Sequence, residues 1–151
     1  MVDVVEVLTR DSEVIVDNAA LRLQRSHLPH YDEVGSELAR ERIDQMLTVV
    51  RDCVSARSLV PIIDHVSRIA HERFEAGFDI REVQTAFNVL EESIWDHVVD
   101  TVPPRDLAQA IGLVGTVLGT GRDTFARVYV ELASQQHVRS LDLSALFHGV
   151  E

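Results

Sequence analysis

The chain contains no lysine: all 14 of its basic side chains are arginine. That removes the usual Schiff-base amine and the cation of a phosphate-binding loop, and with them whole classes of enzyme. Basic residues are also in the minority, 14 against 25 acidic, which leaves a formal charge of −11 at pH 7 over 151 residues. Such a chain repels a phosphate backbone unless its arginines gather on one face, so nucleic acid is not an expected partner. The single cysteine, Cys53, cannot close an intrachain disulfide. Residues 1–8 carry acids where a signal peptide would carry a basic patch and a long apolar run. A cytoplasmic protein with no membrane partner is the expectation. Period-two alternation and Asn-Gly or Asp-Gly turns are missing too, which excludes a sheet.

What is present is helical periodicity, in a chain with 46% apolar and 26% charged residues. That length and composition suit one compact domain. Val5, Leu8, Ile15, Ala19 and Leu23 keep one stripe and predict a first helix over 5–25, broken near Ser12. Residues 26–32 read as a loop, with Pro29 barring helical geometry before it and Asp32 as the next N-cap. A second helix over 33–57 turns Val34, Leu38, Ile43, Met46, Leu47, Val50 and Val54 inward. Cys53 falls beside Met46, Val49 and Val50 and reads as a buried, inert thiol. Pro61 suits the first turn of a third helix, which buries Ile62, Val66, Ile69, Ala70 and Phe74. Gly77 ends it in a left-handed conformation, and Asp79 with Glu82 forms a capping box at the start of a fourth. That helix carries Ile80, Val83, Phe87, Leu90, Ile94 and Val98 and stops before Pro103. A fifth runs over 105–136, and residues 141–147 supply a further turn or two. The expected fold is all-α, a single-domain bundle of about five helices over 1–151, with a core over 8–137 and a tail over 138–151.

Candidate sites are few. Gly112, Gly115, Gly119 and Gly121 follow no strand, precede no lysine and fit no phosphate-loop spacing. Gly112, Gly115 and Gly119 share a helix face, which suggests close approach of another backbone. Thr116, Thr120 and Thr124 form a second stripe whose hydroxyls are expected to bond back to their own helix. The histidines follow no HExxH or Glu-x-x-His pattern, so no metal site is assigned. His27 and His30 are expected in the loop and in solvent, and His65, His71 and His97 on polar faces. No nucleophile elbow occurs, and Glu91, Glu92, Asp96 and Asp100 read as a solvated face, so no catalytic residue is assigned. Trp95 lies at the edge of the fourth helix's apolar stripe, either as core or as an anchor in an interface or small-molecule pocket.

The stretch Arg73-Phe-Glu-Ala-Gly77-Phe-Asp-Ile80-Arg-Glu-Val83-Gln-Thr-Ala-Phe87, with Leu90 and Trp95 after it and Leu28-Pro29-His30-Tyr31 upstream, resembles the N-terminal domain of the RsbRD-type co-antagonist proteins of bacterial stress signalling. The likeness covers roughly residues 8 to 135. It implies a helical domain related to globins without haem, often dimeric, that senses or docks without catalysis ahead of an output module. Glu151 ends the sequence short of such a module, so a free-standing regulator and a fragment both stay open. From the resemblance, Gly77 is the corner and Arg73 its brace, through a carboxylate or a helix carbonyl; no ligand-binding residue carries over.

The leading reading is therefore a non-catalytic regulatory domain that binds no cofactor and acts through a signalling protein partner. The alternative is a small-molecule or haem-binding globin-like carrier, and a third, a DNA-binding repressor, lacks a basic recognition helix. The fifth helix adds an expectation of assembly: Phe125, Val128, Tyr129 and Leu132 form an apolar stripe that a monomer would leave partly wet, so a homodimer is expected there, the alternative being that the glycines at 112 to 121 bend the helix and fold this stripe back into the core.

Overall fold

The computed structural model describes the backbone of residues 3–148 and side chains as far as residue 137. Seven helices and no strand occur among the described residues: α1 Val4–Arg10, α2 Ser12–Arg25, α3 Pro29–Val34, α4 Ser36–Ala56, α5 Val60–Glu75, α6 Ile80–Thr101 and α7 Pro104–His148. The all-α expectation holds, and the count of five does not. The first helix is two, hinged at Asp11, whose backbone (φ −107°, ψ 19°) closes α1 and opens α2.

The expected loop over 26–32 contains a short helix instead. Pro29 starts it, because its fixed φ and missing N–H suit a first turn. Asp32 thus sits inside α3 rather than capping α4. Gly35, at φ 91° and ψ 158°, then separates α3 from α4, so the second helix begins at Ser36 and Leu38 points outward, 39% exposed. A glycine tolerates that backbone and a side chain does not.

Helix α5 packs along α7 and α2 along α6, with α4 laid across α2, α5 and α7. Leu8, Ile15, Leu47, Ile62, Leu90, Ile94, Leu118 and Phe125 are fully buried where these helices meet. Cys53 is buried among them, and that burial pushes its thiol pKa up, as expected of an inert thiol. The 45 residues of α7 run on through the expected tail as one helix, about 68 Å long at 1.5 Å per residue. The side chains of residues 138–151 lie outside the described residues.

Two expectations for α7 need correction. Phe125 is 0% and Tyr129 7% exposed, so most of the stripe expected as a wet surface lies in the protomer's own core. Phe125 packs 6.2 Å from the Phe87 ring and Tyr129 edge-on 5.3 Å from Phe74, while Val128 and Leu132 are half-buried. The glycine face differs as well. A Cβ at Gly112 or Gly119 would meet nothing within 4 Å, and one at Gly115 only Trp95 at 4.0 Å. The close approach is at Gly121, where a Cβ would stand 3.1 Å from Phe87 and 3.2 Å from Ile62.

Candidate regulatory site at the α5–α6 corner

The corner is built from helix termini. Gly77, at φ 83°, follows the last turn of α5. The Phe78 N–H donates to the Arg73 carbonyl at 3.0 Å and the Gly77 N–H to that of Phe74 at 3.1 Å, the paired bonds of a Schellman motif. Two residues later the Asp79 side chain accepts from the Arg81 N–H at 3.0 Å, and Glu82 returns a bond to the Asp79 N–H at 3.1 Å. The expected corner and capping box are both present.

Glu82 does more than close that box. It is 5% exposed, and its carboxylate also accepts from the His30 backbone N–H at 3.0 Å and lies 2.6 Å from His30 Nδ1. Helix α3 has no side-chain cap of its own at Leu28, so a carboxylate 52 residues away satisfies one of its orphan donors. One side chain thus caps two helices and fixes α3 against α6. His30 is therefore not the solvated loop histidine that its sequence suggests. A lone histidine next to proline carries no mark of a partner so distant in the chain.

Phe78 fills the space beneath. Its ring lies 4.9 Å from that of His30 and edge-on 5.1 Å from that of Tyr31, and its carbonyl accepts from the Tyr129 hydroxyl. The Arg73 and Arg42 guanidinium carbons stand 5.6 Å and 5.8 Å from the ring centre. At the corner Arg73 contributes its backbone carbonyl to the Schellman turn and its guanidinium to the face of this ring, and its ion pair with Glu72, at 3.6 Å, reaches an exposed carboxylate. Burial raises the Tyr31 phenol pKa, and the Arg73 and Arg42 charges oppose that shift. Nothing in the sequence singles out Arg42, which reads there as one of many polar positions on its helix.

Elsewhere the polar groups act as fasteners. His97 lies 2.6 Å from Asp11 at the α1–α2 hinge, so it is not a free surface histidine. The carboxyl of Asp11 is held well below the usual range by its bonds to Arg10 and His97. His65 is buried, and Arg68 donates to its Nδ1 at 3.0 Å. Burial, then the charges of Arg68 and Arg73, lowers its pKa. Trp95 is half-buried, its indole N–H donating to Glu91 at 3.2 Å, and Glu91 is paired with Arg122. Thr116 bonds back to the Gly112 carbonyl at 2.7 Å. No group of three or more metal-ligating side chains occurs among the described residues, and no helix among them is long and apolar enough to cross a membrane.

No curated protein and no solved structure matches the chain. A family match does: the RsbT co-antagonist protein rsbRD N-terminal domain aligns with residues 15–146. That span takes in α2 through most of α7, and with them the whole corner held by Arg73, Gly77, Asp79 and Glu82. The chain belongs to the RsbT co-antagonist rsbRD N-terminal domain family.

Proposed function

We propose that this chain is a non-catalytic regulatory domain of bacterial stress-type signalling that works in the cytoplasm through contacts with other signalling proteins. The observation that carries this reading is the family match over residues 15–146, whose description names a co-antagonist. The chemistry of the chain agrees with it: the conspicuous buried polar groups, Glu82 and Arg73, hold helix ends and an aromatic ring rather than a nucleophile. A homodimer is part of the proposal, with the distal part of α7 as its seam. The test is transcriptional. Cells lacking the chain should show an altered stress response, restored by the wild-type chain, and identical stress transcription with and without it sinks the reading.

A further inference from the structure

Between α4, α5 and α6, beside Tyr31, lies a cavity of about 40 Å³. At roughly 10–15 Å³ for each water-sized occupant it has room for three or four heavy atoms. One side is cationic. Arg73, only 7% exposed, and Arg42 both line it, and neither Arg73 Nε nor Arg42 Nη1 has a hydrogen-bond partner among the described residues. Much of the remaining lining is apolar, with Ile43, Met46, Val83 and Leu90, and Tyr31 and Gln45 add neutral polar groups. No carboxylate lines the cavity; Glu72, the nearest to Arg73, is mostly in solvent. His65 also borders it, and because Arg68 occupies Nδ1 as donor, the imidazole proton sits on Nε2 as one more donor.

A buried guanidinium beside a half-buried one, each with a spare N–H group, is costly without an acceptor that also carries negative charge. Water would supply an acceptor but no charge. A halide would supply charge but leave the apolar wall facing empty space. A carboxylate matches the planar guanidinium fork, and a methyl group suits the apolar part of the lining and completes an occupant of four heavy atoms. We propose that this cavity is a binding site for a two-carbon monocarboxylate, its oxygens on Arg42 and Arg73 and its methyl group on Ile43, Met46, Val83 and Leu90.

The site goes beyond the regulatory reading and fails separately from it, since binding is measured on the purified chain and regulation in cells. Calorimetric titration at constant ionic strength should show acetate binding saturably at one per chain, with octanoate, chloride and nitrate at least tenfold weaker. Arg42→Gln should weaken acetate at least tenfold, and Ala86→Leu, which fills the cavity from α6, should abolish binding with the helical circular dichroism unchanged. Should either variant lose its helical signal, the comparison of anions on the wild-type chain decides alone. Equal binding of chloride and acetate overturns the proposal, as does no saturable acetate binding, or wild-type affinity in both folded variants.

Discussion

Glu82 concentrates more of the fold than any other single side chain, because its carboxylate serves His30 twice and Asp79 once while nearly excluded from water. Hydrogen bonds to a charged group contribute about 1.5–3 kcal/mol each. Glu82→Gln keeps the shape and loses the charge, and a stability in urea lower by about 2 kcal/mol is expected; an unchanged unfolding midpoint would mean the two helix ends are satisfied without it. Glycine positions on α7 separate by the same reasoning. At Gly119 a Cβ meets nothing within 4 Å, so Gly119→Ala should gain the helix-propensity difference, about 1 kcal/mol. At Gly121 it meets Phe87 at 3.1 Å and Ile62 at 3.2 Å, both buried, and overpacking costs about 1–3 kcal/mol. Gly121→Ala should therefore be less stable than Gly119→Ala by about 2 kcal/mol, and the reverse order in parallel thermal melts would refute the packing at Gly121. His65 sets a pH dependence. Its folded pKa lies below the ordinary value of 6.5, so the unfolded chain takes up the proton first. The contribution is present above about pH 6.5 and is lost as the pH falls from there towards the folded pKa. Denaturation curves from above that value to about one unit below it should show the loss in the wild type and a flatter profile in His65→Gln.

At the scale of elements, what was legible in the sequence is what local rules encode. The α5–α6 corner could be read because a left-handed glycine and an Asp with a Glu three residues on are sufficient within six residues of chain. The amphipathic face of α6 could be read for the same reason, since Val83, Phe87, Leu90, Ile94 and Val98 are all buried. Element α3 was missed because Pro29 supports two opposite inferences: it forbids helix before itself and favours helix after. Gly35 was missed because a glycine within a helical pattern costs only about 1 kcal/mol and does not by itself announce a break. The site fared worse than the fold. Pairing Glu82 with His30, or gathering Arg42 with Arg73 round Phe78, needs contacts between segments dozens of residues apart, and no local pattern supplies them. One consequence belongs at this level. If the Schellman turn holds α5 to α6 as described, Gly77→Ala should cost about 1 kcal/mol and Gly77→Val more, since the φ of 83° penalises any Cβ; melting curves matching the wild type for both would exclude a left-handed corner.

At the scale of the molecule, α7 is out of proportion to the rest. A compact chain of this length has a radius of gyration near 15 Å and a diameter of about 38 Å, whereas 45 helical residues extend about 68 Å. The bundle engages α7 at least as far as Gln136, which with Leu132 borders α5 beside His71 and Phe74. Beyond it the sequence still carries Val138, Leu141, Leu143, Leu146 and Phe147. Apolar residues near the end of so long a helix would be most simply satisfied by the same helix of a second chain, about a two-fold axis. This moves the expected seam away from the stripe that ends at Leu132. Phe125→Glu should not release a monomer; it should unfold the protein, because a charge at a fully buried position has no partner there. Leu141→Glu combined with Leu146→Glu should give a folded monomer with a wild-type melting temperature. Light scattering at tens of micromolar provides the measurement, against a protomer mass of 16.9 kDa. A wild-type mass of one protomer defeats the dimer outright. A double variant that stays dimeric would move the seam off the end of α7 and leave its length to be explained by another partner.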